Sequence, residues 1–344
     1  MMKKLLTLVL AGFLLAQCAT QKAVQPTSPG DYRIGFYNVE NLFDTEDDPA
    51  TPDEEFLPQS KKNWTPERYQ IKLEHLAKVV EGMGFPALLG LAEVENRRVL
   101  EDFCQKTSLK SQDYGIVNFE SPDFRGIDVA FLYKKSQFKV TATDTIRIHF
   151  PTGMIPDMPN YTTRDLLVVQ GLFQGKEKLN IIVAHLPSRS GGQKETEPRR
   201  QFVAAQIEKK VAEIFKQDAA ANIIVMGDMN DEPTDPSMTE SLNAQPLGSQ
   251  MQDERLFNCF SKLKADGLGS YHYKDAWNML DQVMLSTNLV KGTKQLKYRN
   301  SVIFQADWMM YRDEKYGLSP NRTFGGDRYF GGYSDHLPVY VEMQ

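Results

Sequence analysis

Cysteine is scarce in this chain, with three in 344 residues, so no disulfide framework holds it together. Two of them, Cys104 and Cys259, are widely separated and read either as a pair in an exported protein or as two buried thiols. An excess of positive charge is also missing. The formal net charge is -5, which removes any global pull toward nucleic acid or acidic lipid and leaves only a local basic patch open. Downstream of the N-terminus no apolar run reaches the length of a membrane span. No repeat or low-complexity segment stands out. What is present is ordinary for a soluble globular protein: hydrophobic residues make up 41% and charged residues 25%.

The first 17 residues have a basic start, an apolar run and a small-residue region, the pattern of a signal peptide. The segment "LLAQC" is similar to a bacterial lipobox, in which Cys18 would carry the lipid; Gln17 replaces the small residue usual there. Simple secretion is the alternative. Export is therefore expected, either to the cell envelope as a lipoprotein of the periplasm or outer membrane, or to the medium. Residues 18–31 are polar and Pro-bearing and read as a tether. Residues 32–344 read as one domain, because strands from both ends of the chain share one core.

Two long helices are well marked. Thr65 and Pro66 suit a helix start, and Tyr69, Leu73, Leu76, Val80 and Met83 form one apolar face. The second helix is expected over 197–217, with Phe202, Ile207, Val211, Ile214 and Phe215 inward. Many short runs read as strands, some wholly apolar and some alternating. With helices inserted between a few of them, the fold class is an α/β sandwich of two facing sheets with helices outside. The acidic loop "DTEDDPATPDEE" has no regular ligand spacing and reads as solvated.

Chemistry-bearing residues sit where apolar strands end. "GFYNVEN" brings Asn38 and "LLGLAEVEN" brings Glu93. "NIIVAHLPSR" brings His185, and "NIIVMGDMND" brings Asp228 and Asn230. Asp281 starts "DQVMLS", and Asp335 and His336 precede the last strand. Any one such residue is most simply a strand leaving the core. Together they are oxygen and imidazole donors of the kind that bind hard metals and move protons.

In order along the chain, "NVENLFD", "LAEVEN", "RGIDVAFLY", "AHLPSR", "GDMND", "LDQVMLS" and "SDHLPV" resemble the motif series of the deoxyribonuclease-like endonuclease/exonuclease/phosphatase superfamily. The resemblance covers about residues 32–344. It implies a four-layer α/β sandwich with two facing mixed β-sheets and outer helices. It also implies phosphate-ester hydrolysis with a divalent metal, usually Mg2+, with Mn2+ or Ca2+ as alternatives.

Residue by residue, Glu93 matches the main metal ligand, and Asn38 and Asp335 match residues that hold metal or its waters. Asp228 and Asn230 match the pair that positions water and steadies the phosphate. His336 matches a catalytic histidine with Asp281 as its carboxylate. His185 matches a second histidine with Asp128 behind it. Arg164 matches a phosphate-facing arginine, and Arg125 and Arg189 sit beside motif residues. The resemblance makes a nuclease acting on DNA or RNA the leading expectation, as a monomer. Phospholipid or small phosphate esters are the alternative substrates, and an inactive surface binding protein is the third reading. Because neighbouring strand residues face opposite ways, Asp335 and His336 are expected in a turn, where Gly331 and Gly332 permit irregular backbone.

Overall fold

The computed structural model describes residues 31–49, 51–293, 296–314 and 317–344. The expected signal peptide and nearly all of the tether, Cys18 included, lie outside these residues. The strands run as β1 (Tyr32–Leu42), β2 (Leu88–Val94), β3 (Tyr114–Asn118), β4 (Asp128–Lys134), β5 (Phe138–Ile146), β6 (Leu166–Phe173), β7 (Glu177–His185) and β8 (Asn222–Asp228). They continue as β9 (Gln245–Pro246), β10 (Leu256–Asn258), β11 (Tyr271–Tyr273), β12 (Ala276–Asn278), β13 (Asp281–Ser286) and β14 (Tyr298–Ile303). The last are β15 (Met310–Asp313), β16 (Gly317–Pro320), β17 (Phe324–Gly325), β18 (Arg328–Tyr329) and β19 (Val339–Met343). Three helices matter for the site: α1 (Pro66–Gly82), α2 (Arg97–Gln105) and α3 (Gln193–Gln217).

Two mixed sheets form the body. One has six strands in the order β14-β19-β1-β2-β4-β3, and the other has seven in the order β5-β6-β7-β8-β13-β10-β9. Their inner faces make one apolar core that includes Phe36, Leu89, Leu91 and Phe131 from the first and Val169, Ile181, Met226 and Val283 from the second. Burying such side chains from water is the main force holding the layers together. Helix α1 packs Leu73, Leu76 and Val80 into the same cluster, whereas α3 covers the far face of the second sheet with Ile207, Val211, Ile214 and Phe215. This is the expected four-layer sandwich. No helix among the described residues is long and apolar enough to cross a membrane.

The helix signals read from sequence hold for α1, where Thr65 Oγ1 accepts the Arg68 N–H at 3.4 Å. Helix α3 begins four residues earlier than expected, at Gln193, with Pro198 inside it. Side chains explain the extension. Thr196 Oγ1 donates to the Gly192 carbonyl at 2.7 Å, and buried Arg200 donates to the Gln193 carbonyl and to Thr196 Oγ1. These bonds hold the first turns together despite the missing proline N–H.

The cysteine alternatives are decided by burial: Cys104 and Cys259 are both free and both buried. Burial pushes the Cys104 thiol up to about 12 and raises that of Cys259 further. Thiolate is the reactive form. Native protein at pH 8 is therefore expected to resist alkylation at both, and unfolded protein to take up label at both. Mass spectrometry after a brief pulse of iodoacetamide checks this.

Candidate active site

One end of the sandwich gathers the polar strand ends. In the second sheet, β7, β8 and β13 are neighbours, and their register sets His185 opposite Asp228 and Asp228 opposite Asp281. The three side chains thus form one row across three strands. All are buried.

His336 joins the row from the first sheet's side. Its Nδ1 lies 2.7 Å from Asp281 Oδ2, and its Nε2 lies 3.8 Å from Asp228 Oδ2. His185 Nε2 approaches that same Asp228 oxygen at 3.5 Å. Asn38 Nδ2 donates to it at 3.0 Å, while the other Asp228 oxygen accepts the Asn230 N–H at 2.9 Å. Asp228 is the hub of the site.

Local backbone places each group. Asp335 and His336 lie in the turn before β19, as expected, and His336 makes only an isolated bridge to Tyr271. Gly331 there has φ +67°, and a Cβ on Gly332 would lie 2.0 Å from the Asn321 carbonyl oxygen. Ser334 pins the turn by donating to the Asn38 carbonyl at 2.7 Å and accepting the His336 N–H at 3.1 Å. Glu93 has φ +63° and occupies a bulge between Ala92 and Val94. A bulge turns one residue out of the strand's alternation. Asn230, also left-handed at φ +48°, donates Nδ2 to the Leu186 carbonyl at 2.9 Å.

Charge separates the two histidines. Burial pushes His185 well below its ordinary value, and the cations Arg164 and Arg125 act in the same direction. Burial opposes charge on His336 as well, but Asp281 and Asp228 outweigh it and hold the ring well above its ordinary value. Burial raises the Asp228 carboxyl to about 6, with His336 working against it. Glu93 is held below the usual carboxylate range: burial would raise it, but Arg125, His336 and Arg164 overcome that.

The expected pairing of Asp128 with His185 is not formed. Asp128 Oδ1 accepts the Ser121 N–H at 2.9 Å, and buried His185 Nδ1 has no hydrogen-bond partner among the described residues. Asp128 opens β4 in the first sheet and His185 closes β7 in the second, so contact between them depends on how the sheets stack. Arg164 is buried in the wall of the site. It donates to Asp123 at 2.9 Å and to the Leu186 carbonyl at 2.7 Å. Arg125 reaches Glu93 Oε1 at 3.4 Å, and Arg189 donates to the Asn230 carbonyl at 2.6 Å. Ser334 and Asp123 went unread in the sequence. The Ser in "SDH" was a signal for the first, and nothing local marks the second.

A hard divalent cation would suit part of this set. Glu93 and Asp335 keep more side-chain exposure, 12% and 23%, than Asp228 and Asp281, at 2% and 0%. Both act electrostatically on Arg125 and on Lys72, so they share one neighbourhood. Oxygen donors with room for water are what magnesium requires. Asp228, Asp281 and His336 also bring one donor atom each within 4.8 Å of one another. There, however, the imidazole nitrogens already face the carboxylates. Asn38 is committed too: Nδ2 binds Asp228 and Oδ1 accepts the Glu40 N–H at 3.0 Å. Its evident work is to orient Asp228.

The model of the endonuclease/exonuclease/phosphatase family matches residues 33–344. The chain belongs to that family. Members are divalent-metal-dependent hydrolases acting on phosphate esters, and the row of acids and histidines at the strand ends lies within the matched region. No curated protein of significantly similar sequence was found. Several solved structures share the family fold. A humanized TDP2 from D. rerio is 16% identical, with a TM-score of 0.55, 92% of this chain and 100% of that one covered. The human nocturnin catalytic domain, solved with bound sulfate, is 19% identical with a TM-score of 0.55, covering 92% and 93%. A mannosyl-6-phosphatase from Bacteroides thetaiotaomicron is 15% identical with a TM-score of 0.55, covering 91% and 99%.

Proposed function

We propose that this chain is an exported, magnesium-dependent phosphodiesterase that cleaves nucleic acid by in-line attack of water. The observation that carries the proposal is geometric. Two histidines from different sheets converge on one oxygen of Asp228, at 3.5 and 3.8 Å. That arrangement offers two imidazoles beside one carboxylate, one to accept a proton and one to donate it. Asp281 fixes the ring of His336. Asp228 and Asn230 position the water and steady the phosphate. Glu93 and Asp335 would hold the metal, with Asn38 beside them. When bound, the metal offsets the charge that builds on the phosphate oxygens. Residues 1–17 act as the export signal and 18–31 as the tether, lipidated at Cys18; 32–344 work as one monomeric catalytic domain.

The nucleic-acid reading is supported by a family fold shared with a D. rerio TDP2 that was solved with a single-strand DNA product. A second reading, a small phosphate ester or a phospholipid headgroup, is favoured by the fold shared with the mannosyl-6-phosphatase and by the net charge of -5. A panel of DNA, RNA, phospholipid and sugar phosphate separates the two. Cleavage of nucleic acid in magnesium is expected, falling to background with a chelator and returning when magnesium is restored. Turnover of lipid or sugar phosphate alone would overturn the nucleic-acid reading.

A further inference from the structure

Beside the catalytic row lies a cavity of 420 Å³ between the β11–β12 hairpin and the segment from β15 to β18. That volume falls in the usual range for small-molecule sites, roughly 300–1,000 Å³. Its walls are unusual for this molecule. Among the described residues five aromatic side chains are exposed, Phe119, Phe124, Tyr273, Tyr311 and Phe330. The last three line this one cavity. Exposed rings cost hydration free energy unless something covers them, so their concentration here calls for an occupant.

Two further features identify the occupant. Lys274 and Arg322 line the cavity against one carboxylate, Asp313, so it is locally basic in a chain of net charge -5. The cavity also adjoins the catalytic end of the sandwich through Arg322, which lines it. Arg322 lies 4.0 Å from Asp335 and acts electrostatically on Tyr271, whose ring packs 4.8 Å from that of His336. A ligand reaching from His336 past Arg322 would meet first a cation and then aromatic faces. An ester of phosphate with a planar ring attached has that order of groups.

We propose that this cavity holds the base of a substrate nucleotide, with Tyr311 and Phe330 as stacking surfaces and Arg322 facing the adjoining phosphate. The proposal rests on the phosphodiesterase reading above and narrows its substrate to esters that carry a nucleobase. Stacking on aromatic side chains is tolerant of base identity, so the cavity selects for a ring rather than for a sequence. A sugar phosphate shares the charge and lacks the ring.

Calorimetry with the full chain and magnesium tests this, using thymidine 5′-monophosphate, deoxyribose 5-phosphate and mannose 6-phosphate as probes. The nucleotide is expected to bind about ten-fold more tightly than either sugar phosphate. Tyr311→Ala/Phe330→Ala should collapse that ratio toward one, while Tyr311→Phe, which keeps the ring, should preserve it. Thermal melts confirm that each variant is folded. Equal binding of all three probes by the unaltered protein, or an unchanged ratio in the double variant, overturns the assignment. Hydrolysis of methyl p-nitrophenyl phosphate is measured in parallel. Turnover without ring preference removes the cavity proposal alone, whereas ring preference without turnover of any diester removes the function on which it rests.

Discussion

His336→Ala is expected to lower kcat by about 10²- to 10⁴-fold, the usual contribution of a positioned proton-transfer group. The effect should be large because His336 is the only described side chain that contacts both acids of the row, Asp281 at 2.7 Å and Asp228 at 3.8 Å. Removing it leaves two carboxylates in opposed register with no cation between them. Alanine therefore changes charge as well as chemistry. His336→Gln, which keeps a donor toward Asp281, separates the two and should be as inactive but better folded. Asp281→Asn should lose most of the same activity, since Nδ1 of the ring then lacks its charged partner. Steady-state assays on the best substrate of the panel, with circular dichroism on each variant, provide the check. Turnover near that of the unaltered protein in His336→Gln would refute the role assigned here.

Lys72→Ala is expected to destabilise the fold by about 3–5 kcal/mol, although Lys72 touches no site residue. Lys72 and Glu40 are both buried, and Thr323 joins them. Lys72 Nζ donates to Thr323 Oγ1 at 2.6 Å and to the Tyr333 carbonyl at 2.7 Å, while Glu40 accepts the Thr323 and Phe324 N–H groups. Burial and the neighbouring Asp335 push the Glu40 carboxyl up to about 7, with Lys72 working against that rise. Without the lysine, Glu40 loses the nearby cation and Thr323 Oγ1 and the Tyr333 carbonyl lose their buried donor, close to the turn that carries Asp335 and His336. Lys72→Met/Glu40→Gln removes both charges and should recover most of the loss. Urea titrations of the single and double variants measure this. If Lys72→Ala melts like the parent, the pair is not what clamps the 320–335 segment to the sandwich.

How far the sequence carried depends on what each residue answers to. The buried strands announce themselves because an uninterrupted apolar run such as "NIIVMG" must lie between layers. For the same reason Asp228 and His185 were legible as strand ends: an apolar run ends where a polar group can find partners. Glu40 and Lys72 were illegible, since charged residues on a strand and a helix ordinarily face water. The hairpins from β15 to β18 are two to four residues long and carry no periodicity to read. Asp128 was assigned to His185 through the family resemblance. The partner it finds here, the Ser121 N–H, is set by its own loop.

Strand β19 lies between β1 and β14, paired to both, with Tyr32 opposite Met343 at one end of the β1 ladder. Its position has a consequence for when this molecule becomes an enzyme. This strand, one in from the edge of the first sheet, must insert beside one made some 300 residues earlier, the kind of long-range pairing that folds slowly. Residues 335 and 336 arrive with it. Until 339–343 are made and seated, the acids of the second sheet can be in place while the fourth member of their row is missing. A chain in which this strand is not yet seated therefore lacks His336 beside Asp281 and Asp228, and is expected to be inert toward phosphate esters.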